Sequence, residues 1–289
     1  MIGTLNDRRP LKIRDRILDS GSRCLLMGIL NVTPDSFSDG GAYAHRDAAV
    51  EHALGMCAAG ADIIDIGGES TRPGAAEISE SEEMDRVLPV IAALRACSEV
   101  PISVDTRHAA VAEAAIHAGA DIVNDVSALR HDPLMAGVAA RGAVPVVLMH
   151  MQGNPETMQH APDYDNVVEE VNIFFEERIA FCRAAGITQL LLDPGIGFGK
   201  TVEHNLALLR GLGSFRHFGY PLLVGTSRKS FIGAVTGAAV DDRLPGSIAS
   251  GVLAYMNGAR ILRVHDVRPM RAALDVAEAI AHGEVQHAF

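Results

Sequence analysis

The sequence contains no tryptophan, and aromatic residues make up only 4% of it. Nucleobase-stacking platforms are built from aromatic side chains, so a single-strand nucleic-acid binder is a poor fit. Basic residues are also scarce. Lys and Arg total 25 against 36 Asp and Glu, a formal net charge of −11. A general nucleic-acid or anionic-membrane binder needs a basic face, and this balance argues against both. A small anionic ligand is still compatible with it, because a few cations in one pocket override the global sign. No stretch reaches the roughly 18 apolar residues of a membrane span. Met1 to Asp19 alternates charged and apolar residues with no secretory core, so the expected location is the cytoplasm. Cys24, Cys57, Cys97 and Cys182 form no CxxC pair and read as small core residues, not as a disulfide framework or a zinc site. The 12 histidines show no HExxH and no tight cluster, so no His-built metal centre is expected.

What is present is a globular balance, with 48% apolar and 21% charged residues, and 28 glycines in telling places. A helix-like stretch ends in Gly, a short apolar run follows, and a polar residue closes it. Gly60 precedes Ile63-Ile64-Asp65-Ile66, and Gly119 precedes Ile122-Val123-Asn124-Asp125. Gly142, Gly186 and Gly258 introduce three further runs. Gly after a helix closes its last turn in the left-handed region. An unbroken apolar run of four or five is the mark of a strand covered on both faces. Helical spacing fills the gaps, as in 46–59, 82–97, 111–118, 167–185 and 268–281.

The strand candidates are Cys24–Leu30, Ile63–Ile66, Ile102–Val104, Ile122–Val123, Val144–Met149, Leu190–Leu192, Leu222–Val224 and Ile261–Val264. Eight β/α units fit a closed (β/α)8 TIM barrel, whose usual length is about 250 residues. On pattern alone an open doubly wound sheet is the alternative. No linker or charge block divides the chain. The reading is therefore one barrel over 24–289, preceded by an extension over 1–23 that is read as a hairpin at the barrel's bottom.

Barrel chemistry sits where strands end. The residues there are Asn31, Asp65, Asp105, Asn124, His150, Asp193, Ser227, Arg263 and His265. Such a set suits a flat, hydrogen-bonding heterocycle together with an anion. Asp after a strand also serves as a plain helix cap. That is the reading taken for Asp65, Asp125 and Ser127; Asp105, Asn124 and Asp193 stay open between cap and site. Loops 31–41 and 67–74 are rich in Gly, Ser and Thr. They are either solvent loops or covers for a ligand, and Thr71-Arg72 beside glycines suits an anion clamp. Leu192–Lys200 looks superficially like a dinucleotide loop, but its spacing fits neither GxGxxG nor GxxxxGK[ST]. His150, Met151 and Gln152 take no assigned role, and the remaining histidines, His282 and His287 among them, read as surface residues. Ser227-Arg228-Lys229-Ser230 and Arg263-Val264-His265 follow the seventh and eighth strands, the usual phosphate locus of such barrels. Arg263 and His265 are two apart in an extended segment and share a face. They read as an anion clamp beside Lys229, in preference to an ion pair between Arg263 and an acidic neighbour.

These residues lie in eight motifs: Gly28–Gly41 (GILNVTPDSFSDGG), Asp65–Gly74 (DIGGESTRPG), Ser103–Thr106 (SVDT), Asn124–Ala128 (NDVSA), Leu148–Gly153 (LMHMQG), Leu192–Lys200 (LDPGIGFGK), Ser227–Gly233 (SRKSFIG) and Arg263–Val267 (RVHDV). In content and order they resemble the dihydropteroate synthase family, from Leu26 almost to the C-terminus. The resemblance implies a (β/α)8 barrel, a homodimer, and Mg2+-dependent joining of 4-aminobenzoate to a dihydropterin methyl diphosphate, with no nucleic-acid or membrane partner. It implies that Asp105, Asn124, Asp193 and Lys229 bind the pterin, that Asn31 ligates magnesium, and that Arg263 and His265 clamp diphosphate. Thr71, Arg72, Pro73, Phe198 and Ser227 would surround the aminobenzoate, where sulfonamides would compete. The implied catalytic set is Asn31, Thr71, Arg72, Asp105, Lys229, Arg263 and His265. Two other readings share the pterin contacts: a pterin-dependent methyltransferase barrel and a catalytically silent pterin-binding homologue. The Arg263/His265 pair and Ser227–Ser230 argue against the first, and intact Asn31, Thr71, Arg72 and Arg263 against the second.

Overall fold

The structure, a computed structural model, describes residues 11–14, 16–18, 23–33, 42–69, 77–153, 158 and 162–283. Eight parallel strands carry the apolar runs: β3 (Leu25–Asn31), β4 (Ile63–Gly67), β5 (Ile102–Asp105), β6 (Ile122–Asp125), β7 (Val146–Met149), β8 (Leu190–Asp193), β9 (Leu223–Val224) and β10 (Ile261–Val264). Their order is β8-β7-β6-β5-β4-β3-β10-β9. A parallel bridge between Leu192 and Leu222 brings β8 against β9 and closes the ring. The open doubly wound alternative is thereby excluded.

Helices follow the strands in turn: α1 (Ala42–Ala58), α2 (Glu80–Cys97), α3 (Ala109–Ala118), α4 (Met135–Gly142), α5 (Val167–Ala184), α6 (Val202–Gly211), α7 (Ser230–Thr236), α8 (Leu244–Met256) and α9 (Val267–His282). Their starts are written locally. Ser79 accepts from the backbone N–H of Glu82 at α2, and Asn166 accepts from those of Val168 and Glu169 at α5. Thr201 and His204 form a reciprocal capping box at α6.

Side chains alternate across each strand, so one set of positions faces the helices and the other faces the barrel axis. Leu26, Leu30, Ile64, Ile66, Val104, Leu190, Leu192 and Leu262 belong to the large outer core shared with the helices. The inner positions low in the barrel are Leu25, Met27, Ile63, Ile122, Val147, Leu191, Leu223 and Ile261, which pack on one another as a separate apolar floor.

Beneath that floor lies an antiparallel hairpin of β1 (Leu11–Ile13) and β2 (Arg16–Leu18). Leu11 and Ile13 are buried against the floor, while Lys12 between them points to solvent. Two buried aliphatic side chains contribute roughly 1.5–3 kcal/mol each. Arg14 Nε donates to Asp121 Oδ1 at 2.6 Å, and the Lys12 N–H donates to Gln189 Oε1 at 2.7 Å. Asp121 and Gln189 precede β6 and β8, which puts the hairpin at the N-terminal end of the barrel, opposite the strand ends that carry the polar residues.

Candidate active site

One step above the apolar floor, the inner face of the barrel turns polar. The period of two that buries Ile63, Ile122, Leu191 and Ile261 brings Asp65, Asn124, Asp193 and Arg263 inward at the next position. Strand register sets Asn31, Asp105 and Asn124 in line through Gly67, two positions beyond Asp65 on β4. Six strands, β3 to β6, β8 and β10, thus carry polar groups at the C-terminal end of one barrel.

Arg263 organises the group. Its Nε donates to Asp65 Oδ2 at 2.6 Å and its Nη2 to Asp105 Oδ2 at 2.7 Å. Asn124 Nδ2 donates to the same Asp65 oxygen at 3.1 Å. Asp65 is fully buried, and its second oxygen, Oδ1, has no hydrogen-bond partner among the described residues. Arg263 is 21% exposed, so it still reaches the mouth. Burial works against its charge, but the carboxylates of Asp65 and Asp105 more than offset that and hold it above the ordinary guanidinium range. Burial pushes the Asp105 carboxyl well up from its usual range, Arg263 opposing the shift and Asp65 adding to it.

A second group lies across the mouth on β8 and the loops beyond it. Asp193 Oδ1 accepts from the Gly195 N–H at 2.7 Å. Burial raises the Asp193 carboxyl, opposed by that N–H and by the nearby cations Lys229, Arg263 and Lys200. Lys229 Nζ stands 4.0 Å from the centre of the Phe198 ring, a cation–π contact. Lys200, buried beneath the loop, donates to the carbonyls of His150, Gly195 and Phe198 at 3.2, 3.0 and 2.8 Å. Its ammonium is a tie between loops and not a phosphate-binding lysine. Burial lowers it to about 7. Gly195 has φ +68, and a Cβ there would overlap the His150 carbonyl oxygen, so this loop requires glycine at that position. Val126, Met149, Met151 and Met158 form a small apolar cluster with Phe198 packed against it.

At the remaining strand ends, Ser227 Oγ meets His265 Nδ1 at 3.0 Å and accepts from the His265 N–H at 3.2 Å. Asn31 closes β3 half-buried, with its neighbour Val32 hydrogen-bonded to the Gly67 carbonyl at 2.8 Å. Thr71, Arg72 and Pro73 lie outside the described residues, as do 34–41 of the first loop and 70–74 of the second.

Several sequence expectations need correction. Asp65 is no helix cap: α2 begins at Glu80 and is capped by Ser79. Instead Asp65 sits inside β4, paired with Arg263. The ion pair set aside for Arg263 is present twice over, at Asp65 and Asp105. Asp125 caps no helix either, since α4 begins at Met135 after Leu134; it holds its own loop, accepting from Ser127 and from the Leu129 N–H. Of the cysteines, Cys24 and Cys182 are buried, but Cys97 is exposed and Cys57 only partly covered. His108, read as a surface residue, is buried, and His150, which took no assigned role, is buried as well. The His108 ring lies 2.7 Å from Glu83 Oε2, and together with His131 and Glu77 it makes a cluster that the linear spacing hides. Sequence alone missed Asp65 and the methionine cluster. For Asp65 the signal was available, because it stands two positions from Ile63 on the inner face.

A family model described as pterin binding enzyme matches residues 27–265. The dihydropteroate synthase of Escherichia coli K12 is 55% identical over 256 residues, which is 88% of this chain and 90% of that one. The chain belongs to the dihydropteroate synthase family. Solved structures from the family share its architecture. The Yersinia pestis dihydropteroate synthase with a sulfonamide drug complex aligns with a TM-score of 0.89 at 51% identity, covering 94% of this chain and 99% of that one. The Xanthomonas albilineans dihydropteroate synthase in complex with 7,8-dihydropteroate aligns with a TM-score of 0.86 at 45% identity, covering 95% and 99%. The polar layer described above thus occupies the C-terminal face of a dihydropteroate synthase family barrel.

Proposed function

We propose that this chain condenses 4-aminobenzoate with (7,8-dihydropterin-6-yl)methyl diphosphate, releasing 7,8-dihydropteroate and diphosphate. Family membership supports the reaction. The observation that carries it here is the convergence of Asp65, Asp105, Asn124 and Arg263, with Asp193 and Lys229 nearby, at one barrel mouth.

The reaction breaks a C–O bond to diphosphate and makes a C–N bond to an arylamine, whose surplus proton leaves to solvent. An aniline nitrogen is already neutral at pH 7, so no Ser–His or Cys–His couple is needed. Asp105, Asn124 and Asp193 read the donor–acceptor edge of the pterin, and a ligand lacking that edge leaves buried polar groups unpaired. Lys229, held over Phe198, supports the same ring. Of the five N–H groups of Arg263, two are engaged by Asp65 and Asp105, and the others are available to the departing diphosphate with His265. Such a donor in a water-poor site is worth about 3 kcal/mol to the transition state. Phe198 and Ser227, with Thr71, Arg72 and Pro73, complete the aminobenzoate site, where sulfonamides compete.

The carboxylates around Arg263 also favour positive charge. The substitution therefore runs dissociatively: diphosphate leaves, then the amine attacks the exocyclic carbon. A secondary isotope effect near unity or inverse at that carbon would instead indicate concerted displacement.

Asn31 fits magnesium chemically. Its amide oxygen is a neutral hard donor at a strand end, and Mg2+ takes one or two protein oxygens with phosphate and water. Bound there, the ion would neutralise diphosphate charge. We assign the protein further to the cytoplasm, as a homodimer.

Diphosphate release from the dihydropterin diphosphate, 4-aminobenzoate and Mg2+, matched by dihydropteroate formation, tests the proposal. Ligand binding without release would identify a silent homologue, and methyl transfer without diphosphate chemistry a methyltransferase barrel.

A further inference from the structure

Outside the polar layer, the rim of the barrel between β4 and β6 gathers three metal-ligating side chains from three separate segments. Glu77 precedes α2, His108 caps α3, and His131 lies in the loop after β6. A carboxylate oxygen of Glu77 and one ring nitrogen from each histidine all lie within 4.8 Å of one another. The two imidazoles meet edge to face, with ring centres 5.3 Å apart.

Each of the three is positioned by its surroundings. His108 Nδ1 lies 2.7 Å from Glu83 Oε2, and Glu83 is fully buried. A carboxylate behind one ring nitrogen fixes the tautomer and leaves Nε2 as the ligating atom, the usual second support of a metal-bound histidine. The His108 N–H is held by Thr106 Oγ1 at 3.1 Å. The turn bearing His131 is pinned to the start of α3, because Asp132 Oδ2 accepts from the Ala109 N–H at 2.8 Å. The His131 N–H itself donates to Ser127 Oγ at 3.1 Å. Glu77 Oε1 accepts from Arg107 Nη2 at 3.0 Å, and Arg107 is independently paired with both oxygens of buried Glu69. If Glu77 turns toward a cation, Arg107 therefore keeps a partner.

We propose that Glu77, His108 and His131 form a binding site for a borderline divalent cation such as Zn2+ or Co2+. Two imidazoles and one carboxylate select such ions over Mg2+ or Ca2+, which prefer all-oxygen shells. The site is separate from Asn31, which stands on β3. A tetrahedron built on 2.0–2.1 Å bonds has an edge of roughly 3.3 Å, so the ligands must close by at most about 1.5 Å. Glu77 and His131 are exposed and can make that movement while His108 stays in place. Three protein ligands leave one position for water. The bound ion would staple the segment before α2 to the loops beyond β5 and β6.

The test is a titration of the tag-free full-length chain with Co2+ in excess Mg2+, followed by calorimetry and by the visible absorption of the ion. One Co2+ per chain is expected, with the intense absorption of a four-coordinate site, displaced by Zn2+. His131→Ala, at an exposed position that does not threaten folding, should weaken binding about tenfold or more, and His108→Ala likewise. Absence of saturable binding, or binding undiminished in both variants, would overturn the proposal.

Discussion

Arg263 Nε donates to Asp65 Oδ2 at 2.6 Å, tying β10 to β4 across β3, the strand that separates them. Asp65 is fully buried and Arg263 mostly so, and removing the carboxylate leaves the guanidinium in a medium that solvates it badly. Asp65→Ala should therefore cost about 3 kcal/mol of stability. Urea unfolding reads this directly; a loss below about 1 kcal/mol would mean that Asp105 alone satisfies the guanidinium.

Asp193 is held by the Gly195 N–H, whereas Arg263 directs its Nε and Nη2 to Asp65 and Asp105. In Asp193→Asn a pterin ligand should bind at least about tenfold more weakly, because one hydrogen-bonded charged contact is worth roughly 1.5–3 kcal/mol. Inorganic diphosphate should bind nearly as before. Calorimetry with the two ligands separates the effects, and equal losses would contradict the assignment.

Gly195 and Gly186 both have positive φ, but only Gly195 faces an atom that a Cβ would strike. Gly186→Ala should cost about 1 kcal/mol, the ordinary strain of a left-handed alanine. By contrast, Gly195→Ala must push the 193–200 loop off the His150 carbonyl, and it should cost more and abolish pterin binding as well. Similar unfolding midpoints for the two variants would refute the comparison.

His150 gives a pH prediction. Burial lowers its imidazole to about 2, with Lys200 and Arg130 adding to the effect. The unfolded chain titrates near 6.5, so below that pH it takes up a proton that the folded state refuses. Stability should fall as pH drops through 6.5, by about 2 kcal/mol at pH 5 from this residue. The check is whether His150→Phe shows a correspondingly shallower acid loss than the parent between pH 7.5 and pH 5; identical slopes would count against it.

The barrel is legible because its strands are covered on both sides. In Leu190-Leu191-Leu192-Asp193 the outer leucines meet helices, Leu191 meets the floor, and Asp193 tops the inner face. The same alternation predicts that Arg263 and Asp105 face inward. It cannot name their partners. Arg263 and Asp65 are 198 positions apart, and only closure of the ring brings β10 within reach of β4. Asp65 is misread as a cap because the residue type is right for one, whereas the helix it would cap starts far downstream. His108 is misread as a surface residue because its burial depends on Glu83, from a different helix. The rim cluster is invisible in the chain for the same reason: its members come from three loops.

The hairpin under the barrel has a consequence for traffic. Leu11 and Ile13 pack on the apolar floor and cover the N-terminal end of the barrel, opposite the polar strand ends. On the proposed reading, with the pterin on Asn124 and Asp193, the covered floor leaves the strand-end side as its approach, and an arylamine seated beyond it would hinder its escape.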